Sequence, residues 1–263
     1  MNPVQLNAIS LRFRHIWYRN LITYRRIWRV NFLVPLLEPG FYILAFGLGF
    51  SGLINGVEYA GKHLVYTRFM APALVATDCM WNSFFETTYT SFVRMYYQKT
   101  FDGILATPIS IEEIIIAEVV WAASKAAAAV ALMLLVLMPL GYADFPRALM
   151  CIPLAFLGGI AFAAVGIFFT GVIPTIDMFN LPIFLFITPM FLFSGTFFPV
   201  AGIAKWAAIF PLIFPLYHLV ELTRFFCLGF MESNPVFNLV YLLLFASVFG
   251  GLGLVFMKRR LIK

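Results

Sequence analysis

Residues 114–140 read IIIAEVVWAASKAAAAVALMLLVLMPL. Only Glu118 and Lys125 interrupt the run with charge, and roughly 20 apolar residues are enough for a helix to cross about 30 Å of hydrocarbon. The stretch predicts a transmembrane helix, and the rest of the chain repeats the pattern. Further apolar runs fall at 30–53, 66–92, 148–172, 179–194 and 236–257, which gives six expected spans. The fifth is short and carries Pro182 and Pro189, so a kinked or tilted helix is expected there.

Composition agrees. Of 263 residues, 62% are hydrophobic and 11% charged, against roughly half and a quarter in a soluble domain. A soluble fold has nowhere to put so much apolar surface. No polar interval between residues 30 and 257 is long enough to fold alone, so the chain divides into a basic segment, 1–29, and one membrane domain, 30–263. The net charge of +6 does not point to nucleic acid, because the basic residues flank apolar runs as membrane-orientation signals do. Cys79, Cys151 and Cys227 lack CxxC or metal-ligand spacing and are expected to be three reduced, structural thiols. The first apolar run begins some thirty residues in, so no cleavable signal peptide is expected and the first helix should remain.

Six spans place both termini on one side. That side holds Arg12, Arg14, Arg19, Arg25, Arg26, Arg29, Arg94, Lys99, Lys258, Arg259, Arg260 and Lys263. The other holds only Lys62, Arg68, Arg147, Lys205 and Arg224. The termini are therefore expected in the cytoplasm. Within the first segment Arg12, Arg19 and Arg26 recur every seven residues, while Ile9, Phe13, Ile16, Trp17, Leu21, Tyr24 and Trp28 fall mainly on other faces. This describes a basic amphipathic helix lying in the headgroup layer. Residues 194–231 are apolar but broken by Gly195, Pro199, Pro211 and Pro215, and include Lys205, His218, Glu221 and Arg224. Each half is too short to cross, which predicts re-entrant or interfacial helices on the outer side that close one end of a pathway.

Charges inside spans are costly and point to function. Asp78, Asn82, Glu86 and Thr90 recur at four-residue spacing on the second span, as one polar stripe. Glu118 and Lys125 share a face of the third but stand two turns apart. If spans two and three form an antiparallel hairpin, counting back from its closed end puts Lys125 within about one turn of Glu86. An ion pair facing the bundle interior is predicted. Glu38, before Pro39 and Gly40, is read as solvated near the inner interface.

The connection at 96–113, YYQKTFDGILATPISIEE, carries Ser110 with Glu113 three residues on, a capping box that starts the third span. Lys99 to Ala106 is then expected as a short amphipathic helix presenting Phe101, Ile104 and Leu105, an apolar knob suited to a cleft on another protein. Small residues at Ala155, Gly159 and Ala163, and at Ala122 and Ala126 with Val130, suit close helix packing. GVEYAGKH at 56–63 nearly matches a phosphate loop, but His63 replaces the required hydroxyl and no α/β context surrounds it. His15, His63 and His218 have no zinc-ligand spacing.

The order of these features, with TFDGILATPIS at 100–110 and SGTFFPVAGIAKWAAIFPLIFPLYHLVELTR at 194–224, resembles the type 2 ATP-binding-cassette exporter permeases. Within that family APALVAT, SFFETTYTSFVRM and AEVVWAASKA look like the nodulation-type lipo-oligosaccharide export permeases. The resemblance implies an all-α integral membrane fold and a coupling helix at Lys99, Thr100, Phe101, Asp102, Gly103, Ile104 and Leu105 that docks in a separate ATPase. Arg12, Arg19 and Arg26 would lie on a connecting helix, and Gly195, Pro199, Pro211, Pro215, Glu221 and Arg224 would belong to an outer gate. Two permease copies would pair, with the pathway between their second and fifth spans and Asp78, Asn82, Glu86, Glu118 and Lys125 lining it or forming a polar network. ATP and magnesium would bind the ATPase, with no cofactor on this chain. The implied place is the bacterial cytoplasmic membrane and the implied cargo a lipid-linked saccharide. A drug or small-lipid exporter shares the fold; a membrane transferase using Asp78, Glu86 and Lys125 is the reading from another class.

Overall fold

A chain this apolar satisfies its backbone hydrogen bonds within helices wherever it meets lipid, and helices dominate. The computed structural model describes residues 10–26, 28–50, 56–200 and 209–262. Helices α1 (Phe13–Arg26) and α2 (Trp28–Phe50) precede a hairpin of β1 (Val57–Tyr59) and β2 (Lys62–Leu64). Then come α3 (Tyr66–Phe85), α4 (Thr100–Leu105), α5 (Ile111–Leu137), α6 (Cys151–Val172), α7 (Asn180–Pro182), α8 (Thr188–Phe193), α9 (Ile209–Ile213), α10 (Pro215–Leu228) and α11 (Pro235–Leu261). Of the features expected from sequence, Ile9, Lys205 and Lys263 lie outside the described residues.

Among the described residues, four helical stretches are long and apolar enough to cross a membrane: Ile111–Leu137, Arg147–Val172, Ile176–Phe193 and Pro235–Leu261. The chain is thus a multi-pass membrane protein. The first two expected spans differ in kind. α2 contributes a shorter apolar stretch, Pro35–Phe46, and α3 carries the polar side chains described below. In the third of the four stretches, a π turn at Ile183–Ile187 lies between Pro182 and Pro189. Neither proline can donate a backbone bond, and the wider turn accommodates the break.

The hairpin departs from the all-α expectation. Val57 pairs with Leu64 and Tyr59 with Lys62, leaving Ala60 and Gly61 as a two-residue turn with φ of 50° and 69°. Positive φ at both positions is what a right-twisted hairpin requires. The near-match to a phosphate loop is therefore a β-turn.

α6 is the hub, touching α3, α5, α10 and α11. In lipid, association rests on close packing rather than on burial from water, and glycines permit it. A Cβ on Gly159 would stand 2.8 Å from Cα of Ala123 on α5, and one on Gly166 would stand 3.1 Å from the carbonyl of Phe84 on α3. The small-residue faces expected at Ala155 and Ala163, and at Ala122 and Ala126, are buried. At one end of the bundle Lys258 of α11 pairs with Glu112 of α5 at 2.7 Å, and Arg260 donates to the carbonyls of Thr170 and Ile173. The hairpin lies at the opposite end, where Arg68 meets Asp144 at 3.3 Å and the Ala60 amide donates to Glu232.

Gly159→Ala should cost about 1–3 kcal/mol, because overpacking must push two helix backbones apart. Gly250→Ala, whose Cβ would meet nothing within 4 Å, should not destabilise. Thermal unfolding of the two variants in detergent checks the contrast.

Candidate functional site

The α3 rod continues past Phe85 through two π turns, Glu86–Thr90 and Val93–Tyr97. Ser83, Thr87 and Thr88 hydroxyls donate back to the carbonyls of Cys79, Ser83 and Phe84. Such local bonds compete with the helical ladder, and π turns tend to mark functional positions. The change of turn splits the expected stripe. Asp78 Oδ1 accepts from Asn82 Nδ2 at 2.8 Å, Glu86 is buried and Thr90 is exposed. Asp78 and Glu38 border one small pocket with Tyr42 and Trp81, so Glu38 is half-buried rather than solvated.

Glu86 gathers three donors. Arg94 Nη2 lies 2.6 Å from its Oε1, Trp121 Nε1 2.9 Å from the same oxygen, and Lys125 Nζ 2.9 Å from Oε2. The Glu86 to Lys125 pair predicted from hairpin counting is present. The same Arg94 nitrogen stands 3.0 Å from Glu118 Oε2, though without hydrogen-bond alignment, and Glu118 Oε1 accepts from Asn20 Nδ2 at 3.2 Å. Two carboxylates and two cations thus balance in a site where Glu86 is 4% and Glu118 1% exposed. Coulomb attraction at such burial is strong, and so is the cost of leaving one member alone.

α1 seats on this site. Trp17 Nε1 donates to Ser124 Oγ at 3.1 Å, and the rings of Trp17 and Tyr24 meet Trp121 edge-on. The three arginines expected on one face have different fates. Arg12 donates to the Pro108 carbonyl, Arg26 is exposed, and Arg19 is half-buried and donates to Asn20 Oδ1 at 2.8 Å. Burial lowers the Arg19 pKa, with Glu118 opposing.

Beyond the second π turn, Lys99 turns the chain in left-handed geometry, φ 51°, and starts α4. Phe101 corrects the sequence expectation. It is 1% exposed, in a cluster with Phe92, Ile114 and Phe179, because an aromatic ring beside an apolar core gains more inside than in water. The exposed residues of the segment are Lys99, Asp102 and Gly103, with Thr100, Ile104 and Leu105 intermediate. The capping box at Ser110 and Glu113 is formed, and Glu113 also accepts from the Ser10 amide at 3.1 Å.

At the opposite end Glu221 and Arg224 of α10 form a second buried cluster. Tyr59 OH donates to Glu221 Oε1 at 2.8 Å, and the Glu232 amide and Ser233 hydroxyl donate to Oε2. Arg224 donates to the Gly195 carbonyl at 2.6 Å and lies over the Phe69 ring at 3.9 Å. Burial first, then Glu221, pushes the Tyr59 hydroxyl pKa up. Pro211 is buried on α9, Pro215 opens α10 and Pro199 is half-buried; the part of the expected outer gate at 201–208 lies outside the described residues. Sequence reasoning did not assign Arg94, Trp121, Asn20 or Tyr59 to either cluster. Arg94 was readable as a flanking positive charge, and the indole N–H of Trp121, one turn from Lys125, was the available signal for a buried acceptor.

The sequence pattern of the "ABC-2 type transporter" family matches residues 12–228, a stretch that includes Glu86, Glu118, Glu221, Arg224 and α4. The chain belongs to the ABC-2 type transporter family. Members are transport subunits rather than enzymes. Similar full-length proteins agree. Nodulation protein J of Rhizobium leguminosarum bv. trifolii is 32% identical over 257 residues, covering 97% of this chain and 95% of that one. Nodulation protein J of R. leguminosarum bv. viciae is 30% identical over 263 residues, 100% of each chain. That of Sinorhizobium fredii is 31% identical over 247 residues, 94% of this chain and 93% of that one.

Glu86→Gln in this ABC-2 protein leaves Arg94 and Lys125 facing a neutral amide. A loss of about 3–5 kcal/mol is expected, as for other broken buried pairs. Lys125→Met should cost less, since Arg94 still neutralises Glu86 and the lysine side chain is 23% exposed. Thermal melts in detergent rank the two.

Proposed function

We propose that this chain is the permease subunit of an exporter driven by a separate ATPase, with six spans, both termini in the cytoplasm of a bacterial cell and a second copy of itself completing the pathway. The cargo is an amphipathic molecule, a lipid-linked saccharide by resemblance to the nodulation-type export permeases. ATP and magnesium stay on the partner.

The observation that carries the reading is the seating of α4. Its exposed tip, Lys99, Asp102 and Gly103, is the part a soluble partner can grip. Its root, Phe101, sits in the core with Phe92 and Ile114. Phe92 lies between the two π turns, and Arg94 in the second of them reaches Glu86 and Glu118. A displacement of the tip is therefore delivered to α3 and α5 through packed side chains and paired charges instead of being lost in a flexible loop. A groove beside the tip is lined by Lys99, Arg259 and Arg260 together with Tyr96 and Phe256, which extends the docking face to the end of α11. Binding energy at the ATPase shifts the permease only to the extent that the two contact each other differently in two states, and a rigid-body transition meets that requirement. The lysines and arginines near α4 and α11 are also what fixes that end in the cytoplasm.

Asp102→Lys reverses charge at the exposed tip without entering the core. Co-purification of the partner ATPase and cargo-stimulated ATP hydrolysis should both fall at least ten-fold, with the melting temperature unchanged; wild-type coupling in that variant rejects the docking face. A periplasm-active phosphatase fused to the C-terminus should be inactive, and an active fusion overturns the orientation.

A further inference from the structure

Two of the three thiols meet across the bundle. Cys151 opens α6 and Cys227 lies in the last turn of α10, 76 residues apart in sequence, yet their sulfurs stand 3.7 Å from each other and both residues are fully buried. Cys79 is buried elsewhere on α3, where its thiol donates to the Ala155 carbonyl at 3.2 Å. The pair sits at the hairpin end of the molecule. Arg147 and Met150 bound the short turn just before Cys151, Gly229 ends α10 in left-handed geometry, and the Asp144 amide donates to the Cys227 carbonyl at 2.8 Å. A bonded pair of sulfurs stands about 2.05 Å apart, so the two must draw closer than the 3.7 Å of the reduced pair to join.

From this geometry we infer that Cys151 and Cys227 are a disulfide-forming pair that staples α10 to the start of α6. The inference rests on the orientation proposed above, which turns this end toward the oxidising face of the membrane, the compartment in which structural disulfides persist. The oxidant is a thiol–disulfide oxidoreductase of that compartment. One cysteine thiolate attacks a sulfur of the oxidoreductase disulfide, forming a mixed disulfide and releasing a thiolate. The second cysteine thiolate then displaces the oxidoreductase, so the pair loses two protons and two electrons and the acceptor disulfide becomes a dithiol. Because both sulfurs are enclosed in the finished fold, the step precedes the docking of α10.

The test uses the full chain in native membranes, quenched in acid, denatured and alkylated with N-ethylmaleimide, then reduced and alkylated with an isotopically heavy form. Peptide mass spectrometry should find Cys79 carrying the light label and Cys151 and Cys227 the heavy one, with a linked Cys151 to Cys227 peptide in the unreduced digest. In cells without the oxidoreductase all three should carry the light label. Three light labels in normal cells, with the C-terminal phosphatase fusion inactive, overturn the disulfide and leave the orientation standing. Three light labels with an active fusion overturn both.

Discussion

A carboxylate buried among apolar helices must be neutralised or solvated by the protein itself, and Glu86 is the point at which this chain meets that demand. Three donors from two helices converge on it. Two of the donors have a second attachment: Arg94 to Glu118, and Trp121 to the rings of α1. Helix α1, the α3 to α5 hairpin and the short α4 are therefore one mechanical unit. Removing the acid would leave Arg94 and Lys125 with Glu118 as the remaining carboxylate, one charge uncompensated in a largely buried site, which is strongly destabilising.

The hairpin-end cluster follows the same logic with a different purpose. Glu221 and Arg224 sit one turn apart on α10, yet their bonds reach the β-hairpin, the Gly195 carbonyl and the 232–233 segment. Short segments that cannot span the bilayer are held by side chains whose charges are fully committed. Such a cluster fixes where the segments sit.

Long-period features were legible in the sequence. Apolar runs marked the four stretches long enough to cross, turn counting along a hairpin brought Lys125 to Glu86, and Ser110 with Glu113 marked the start of α5. What was not legible depends on geometry that a period of 3.6 does not encode. The π turns changed the face on which Thr90 lies and brought Arg94 back to Glu86. Phe101 reads as exposed on a helical wheel, but the wheel contains no neighbouring core, and the cluster around Phe92 and Phe179 decides its place. The hairpin at 57–64 was hidden because a Gly-containing turn and a degenerate phosphate loop share residues. Cys151 and Cys227 look remote because sequence distance says nothing about which helix ends adjoin.

The glycine contacts of α6 bear on how such a molecule can move. Where two backbones stand closer than a methyl group allows, neither can slide along the other without climbing over side chains, so α3, α5 and α6 travel as a single slab. Motion between conformations must then be taken up at its margins. Those margins are α2, whose outward face leaves Leu33, Leu37 and Phe41 exposed, and the proline-interrupted stretch Ile176–Phe193, where a missing backbone bond has already loosened the rod.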